Sequence, residues 1–178
     1  TLPGTHPDKG AYFNRGTSRN HFAGYTEKSA DYVDNMDRLS KKFINGINFL
    51  PQPEINQGKK KAQLGFIFFG TTNHPIVEAV EQLKEQGLIV DSLRIKAFPF
   101  HQSIELFIEE HSVGNRQVFV IEQNRDAQMK SLLVNELQID PNKLVSVLHF
   151  DGLPVTSNFI VQAVLTSLAT SQNNTKTG

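Results

Sequence analysis

Leu64-Gly65-Phe66-Ile67-Phe68-Phe69, followed at once by Gly70-Thr71-Thr72-Asn73, decides the fold. A continuous apolar run stopped by small and polar residues reads as a strand buried on both faces. Pro75 then stands in a first helical turn, where a missing N–H is tolerated. Ile76, Val77, Val80 and Leu83 give that helix its inner face, and Gly87 stops it.

Outward along the chain the alternation repeats. Residues 88–98 carry an alternating strand (Val90, Leu93, Ile95, Ala97) closed by Pro99. Ile104, Phe107 and Ile108 mark a short helix, and Val118-Phe119-Val120-Ile121 is another buried strand. Residues 126–137 read as a helix with Met129, Leu132, Leu133 and Leu137 inside. Residues 144–150 read as a fourth strand, and residues 156–168 as a last helix on Phe159, Ile160, Ala163, Val164 and Leu168. Four strand–helix repeats with short connections dictate a mostly parallel sheet joined by right-handed crossovers. The expectation is a three-layer α/β/α sandwich, with ligand or partner contacts at residues 70–73, 98–101, 122–125 and 150–154, where the strands end.

Upstream the pattern differs. In residues 30–47, Ala30, Val33, Met36, Leu39, Phe43, Ile44 and Ile47 fall on one helical face, with acidic residues first and lysines last, as the helix dipole prefers. Pro51 and Pro53 end this helix, and residues 52–61 read as a connector. Residues 1–25 are crowded with Gly, Pro, Asn, Ser and Thr and show no period. A stretch of that kind signals function, disorder or a missing partner. Since the chain opens on Thr1 without an initiator Met, the expectation is a piece of a larger polypeptide, with a disordered tail at residues 169–178.

Composition excludes several functions. The 178 residues suit one α/β domain and an appendage of about 50 residues. Eighteen basic and 18 acidic side chains cancel, leaving no net field to recruit nucleic acid or an anionic membrane. The run Lys59-Lys60-Lys61 reads as a solvated linker. With no cysteine the chain has no disulfide, thiolate nucleophile or iron–sulfur ligand, which fits a cytoplasmic protein. No apolar run approaches the roughly 18 residues that span a bilayer.

Candidate chemistry is sparse. In Glu122-Gln123-Asn124-Arg125-Asp126-Ala127-Gln128, Asn124 or Asp126 can cap the next helix, leaving Arg125 and Gln128 toward a ligand or partner. Gly70-Thr71-Thr72 precedes a helix but matches no nucleotide signature, so it reads as a tight turn with a Thr or Asn cap. The six histidines show no ligand spacing, and the acidic residues fall mostly on outer helix faces. Arg15-Gly16-Thr17-Ser18-Arg19-Asn20 has a composition suited to holding a carboxylate or phosphate.

The words LPGTHPDKGAYFNRGTSRNHFAGYTE, DNMDRLSKKF, FGTTNHPIVEAVEQL, AFPFH, VFVIEQNRDAQMKSLLVNEL and LHFDGLPV resemble the carboxy-terminal part of the α subunit of 2-oxoacid:ferredoxin oxidoreductases, most of all the 2-oxoglutarate type. That resemblance implies that residues 1–26 are the extended tail of a preceding thiamine-pyrimidine domain, that 27–61 are a connector helix and linker, and that 62–168 are a transketolase C-terminal-like domain. Such enzymes convert a 2-oxoacid and coenzyme A to acyl-CoA and CO2, passing electrons through an iron–sulfur cluster to ferredoxin. Thiamine diphosphate, Mg2+, the cluster and CoA then belong to the complete complex, with none bound here, and the chain alone is inert. Its implied partners are a β subunit, upstream domains of its own chain and, through the complex, ferredoxin. By the same resemblance Arg15, Gly16 and Thr17 are substrate-binding candidates, while Phe13, Phe22, Tyr25, Gln123 and Asn124 are candidates for domain or subunit contact. The competing reading is a stand-alone flavodoxin-like module binding a nucleotide or flavin at residues 70–73.

Overall fold

The computed structural model describes residues 5–6, 18–58 and 60–174, and the chain divides into two units, Thr1–Gly46 and Ile47–Gly178. In the first unit, strands β1 (Ser18–Arg19) and β2 (Tyr25–Thr26) pair antiparallel, with Ser18 opposite Thr26. Asn20 shapes the turn between them: its side-chain oxygen accepts from the N–H groups of Phe22 and Gly24. Helix α1 (Ser29–Gly46) follows. Its Asn35 amide donates to Ser18 Oγ at 2.8 Å and to the Arg19 carbonyl, and its Asp31 accepts from Thr26 Oγ1 at 2.7 Å. The apolar stripe expected from the sequence is present, yet α1 buries none of its residues.

The second unit holds β3 (Glu54–Asn56), β4 (Leu64–Phe69), α2 (Asn73–Glu85), β5 (Val90–Ile95), α3 (Gln102–His111), β6 (Gln117–Glu122), α4 (Gln128–Leu137), β7 (Leu144–Leu148) and α5 (Ser157–Asn174). The sheet order is β3-β5-β4-β6-β7. Strands β4 to β7 are parallel, while β3 pairs antiparallel with β5 at the edge. Alternate residues of the central strands feed two separate cores. Leu64, Phe66, Phe68, Phe119 and Ile121 pack with Ile76 and Leu83 of α2 and Ile160 and Val164 of α5. Ile67, Leu93, Ile95, Val118 and Val120 pack with Ile104 and Ile108 of α3 and Leu133 of α4. This is the three-layer sandwich the alternation dictates.

Three details depart from the pattern. The connector at 52–61 contains β3, whose Glu54 bonds Lys96 at 2.7 Å and Arg94 at 3.3 Å across the edge. Helix α4 starts at Gln128, two residues after the start expected at 126, because Ala127 adopts the left-handed conformation (φ 50°). Helix α5 runs past residue 168 to Asn174, where the Thr170 and Ser171 hydroxyls donate to the Thr166 and Ser167 carbonyls. Residues 175–178 lie outside the described residues.

Gly65 in β4 is required by space. A Cβ there would lie 3.0 Å from His111 Cβ and 3.1 Å from the Phe107 ring. Gly65→Ala is expected to lower stability by about 1–3 kcal/mol, read as a drop in urea midpoint at constant slope. The Glu54 carboxyl is held below its ordinary range by the Lys96 hydrogen bond, with a smaller contribution from Arg94. Its stabilisation of β3 is therefore present above the unfolded glutamate value of about 4.3 and lost as pH falls through the depressed one. Amide exchange at Ile55 is expected to accelerate in that acidic window for the wild type, and to show no such step in Glu54→Gln.

Candidate functional site

From β4 the chain crosses to β5, and from β6 it crosses the opposite way to β7. Connections diverging from two adjacent parallel strands open a crevice at their carboxyl ends, the usual ligand position in such sheets. Here Gln123, an exposed side chain, bridges the loops on its rim. Its Nε2 donates to Thr71 Oγ1 at 3.1 Å and Thr72 Oγ1 at 3.2 Å, and its Oε1 accepts from the Val155 N–H at 3.3 Å. One amide thereby joins the loops leaving β4, β6 and β7. Neither threonine caps α2 through its side chain; Thr72, at the N-cap position, already has helical backbone angles (φ −57°, ψ −16°).

Glu122, the last residue of β6, is fully buried (0 % exposed). Its Oε2 accepts from the Met129 N–H at 2.7 Å and from the Asn124 amide at 2.8 Å, and its Oε1 accepts from the Lys130 N–H at 3.0 Å. Asn124 Oδ1 accepts in turn from the N–H groups of Asp126 and Gln128. The first three amides of α4 are therefore satisfied by a strand carboxylate and a loop amide, and the negative charge sits at the positive end of the helix dipole. Asn124 caps as the sequence suggested, Asp126 does not, and Glu122 carries most of the capping. Glu122 is an exception to the placement of acidic residues mostly on outer helix faces: it ends a strand and lies inside. The signal was available in VFVIE, an apolar strand ending on a carboxylate just before a helix.

The backbone donors that would cradle an anion at α4 already hold Glu122 and Asn124, and the exposed Gln123 side chain ties together the loops beside the crevice. Among the described residues no group of three His, Asp or Glu is placed to share a metal ion, and no helix is long and apolar enough to cross a membrane.

Of the remaining sequence candidates, Phe13, Arg15, Gly16 and Thr17 lie outside the described residues. Phe22 at the β1–β2 turn is 81 % exposed, and Tyr25 is also exposed. The Arg19 guanidinium lies 5.5 Å from the Tyr25 ring centre. A hydrogen bond from the Tyr25 hydroxyl to Glu27 raises the tyrosine pKa above its ordinary value. Around Gln123 and Asn124 the same edge exposes Phe98, Phe150 and Leu153, together with an Arg125–Asp126 pair.

No protein-family model matches the sequence. Over 140 residues, 77% of this chain, it is 29% identical to 2-oxoacid:ferredoxin oxidoreductase 2, subunit alpha, from Aeropyrum pernix. The chain is thus similar in sequence to a 2-oxoacid:ferredoxin oxidoreductase α subunit. It spans only 21% of the length of that curated relative. Among solved structures, 2-oxoglutarate:ferredoxin oxidoreductase from Magnetococcus marinus, with 2-oxoglutarate, coenzyme A and succinyl-CoA bound, shares the fold. It matches 94% of this chain and 28% of its own, with a TM-score of 0.74 and 23% identity. The α chain of a probable 2-oxoacid ferredoxin oxidoreductase from Thermoplasma acidophilum matches 66% of this chain and 97% of its own, with a TM-score of 0.44 and 24% identity.

Glu122→Gln turns one accepting oxygen into a donor facing donors. It is expected to destabilise the 178-residue chain by about 1–3 kcal/mol. A urea-unfolding loss below about 0.5 kcal/mol would contradict the capping role.

Proposed function

We propose that this chain is the carboxy-terminal, itself non-catalytic part of the α subunit of a thiamine-diphosphate-dependent 2-oxoacid:ferredoxin oxidoreductase. The complete enzyme decarboxylates a 2-oxoacid, 2-oxoglutarate by the word-level resemblance, and transfers the acyl group to CoA while electrons pass to ferredoxin. Residues 62–168 act as a transketolase C-terminal-like domain, and residues 1–26 as the exit of the pyrimidine-binding domain. The observation that carries this reading is the 29% identity sustained over 77% of the chain, with the internally satisfied carboxyl edge as physical support.

A domain whose switch point is braced by its own Gln123 and Glu122 serves the complex by shape. The chain has no cysteine to ligate a cluster, and the described residues offer no metal-sharing acidic group. By the family resemblance, thiamine diphosphate, Mg2+ and the cluster are read as belonging to other domains and subunits of a cytoplasmic complex. Exposed Phe22 and Tyr25 are read as contacts to upstream domains or the β subunit. Gln123 and Asn124 hold the loops of a second contact edge, at which Phe98, Phe150 and Leu153 are the exposed apolar groups. Arg15, Gly16 and Thr17 are assigned to the 2-oxoacid carboxylate, which an arginine binds with two parallel charged hydrogen bonds.

Co-expression of the complete α subunit with its β partner tests the assignment through CoA-dependent viologen reduction with 2-oxoglutarate and with pyruvate. The expected result is activity that needs CoA and prefers 2-oxoglutarate. Arg15→Ala is expected to lower kcat/KM roughly 10- to 150-fold, the loss of a charged hydrogen-bonding partner. Wild-type activity in the variant would move the carboxylate site elsewhere. An inactive, fully loaded complex would remove the family function.

A further inference from the structure

Asp91 near the start of β5 and His111 at the end of α3 form a second buried polar cluster, remote from the carboxyl edge, and they are 6 % and 1 % exposed. His111 Nδ1 lies 2.9 Å from the Phe107 carbonyl oxygen, and Nε2 lies 3.0 Å from Asp91 Oδ2. The other carboxylate oxygen, Oδ1, accepts from the Gly58 N–H at 2.9 Å. A carbonyl has no proton to give, so Nδ1 must donate to it. The opposite contact, ring nitrogen against carboxylate, is then favourable only with a second proton between Nε2 and Oδ2. Without that proton, a nitrogen lone pair faces a carboxylate oxygen at 3.0 Å, too close for a water between them, in a buried site.

We propose that this shared proton is a latch that fixes the segment after β3 against the sheet, and that raising the pH releases it. Gly58 is the point of attachment. Residues 55–58 and Lys60 form one wall of a cleft of about 980 Å3, with Val80, Ile89 and Val90 among the residues opposite. Releasing Gly58 therefore reshapes that cleft.

The surroundings leave the pair to itself. Around the ring, β4 contributes Gly65, whose absent Cβ makes room, and α3 contributes the Phe107 ring stacked at 4.1 Å. From β6, Val118 packs in the same core. The neighbouring charges are engaged elsewhere: Glu109 pairs with Lys143, and the Arg116 guanidinium donates to the Glu110 carbonyl. On the cleft side the charged groups are Lys60, Glu81 and Lys84, the last two paired with each other.

Asp91→Asn is the discriminating variant. Its Oδ1 still accepts from Gly58, while its amide N–H replaces the shared proton and donates to a neutral His111 Nε2. All four groups are then satisfied at any pH that leaves the imidazole neutral. Amide exchange of Gly58, corrected for base catalysis, would be followed in the 178-residue chain from about pH 5 to about pH 8, alongside the ring nitrogen shifts of His111. In the wild type, protection of Gly58 is expected to fall about tenfold, the weight of one buried hydrogen bond, with the same midpoint as the ring titration. In Asp91→Asn it is expected to stay level. Level protection in the wild type, or an unchanged fall in the variant, overturns the latch. Should the variant fail to fold, the wild type decides alone: a fall in Gly58 protection whose midpoint departs from that of the ring rejects the proposal, and coincidence supports it.

Discussion

Everything in the α/β unit depends on β4 and β6 being buried on both faces while pairing with each other. A strand in that position cannot expose a polar side chain on either side, so its neighbours must be strands and its covers must be helices. The sequence obeys with LGFIFF and VFVIE, and parity along each strand then sorts residues between the α2–α5 and α3–α4 cores. The same constraint explains where the exceptions occur. Gly65 interrupts the apolar run where α3 approaches closest, and Glu122 appears only where a helix N-terminus is waiting to receive its charge.

The carboxyl edge shows how a common ligand-binding architecture can be braced from within. Hydrogen-bond donors at a helix start and a crevice between diverging connections are the two features such sheets use to hold anions. Both are present, and two residues adjacent in sequence engage them: Glu122 holds the helix start and Gln123 bridges the rim of the crevice. The left-handed Ala127 belongs to the same device, since the chain must turn tightly for α4 to present its first amides to a residue at the end of β6. These groups are thereby satisfied within the chain.

The sandwich was legible because burial on two faces leaves continuous apolar runs, and helical covers leave a period that propagates over several turns. What stayed hidden had no such trace. Strand β3 offers one apolar residue, Ile55, and exists through pairing with β5 and the grip of Arg94 and Lys96 on Glu54. The Asp91–His111 pair joins residues twenty apart on different elements, so neither spacing among histidines nor a search for acidic clusters finds it. At Gln123 the motif was visible and its partners were not, because Thr71, Thr72 and Val155 meet it only after three crossovers are complete. The stripe on α1 was legible as amphipathic, yet periodicity alone does not say what, if anything, covers a face.

The sheet's two edges have a consequence for how this unit joins others. At one end β3 is three residues long and carries an acidic side chain clamped by two cations. At the other, the first carbonyl of β7 accepts from the Lys130 ammonium at 2.7 Å. A short edge with its charge clamped gives a foreign strand little open ladder to align with, which is how natural sheets avoid recruiting one another. The two edges are therefore unequal: β3 is blunted, while β7 is five residues long, carries no charged side chain and has only its first carbonyl engaged. A strand added to this sheet would find its ladder at β7.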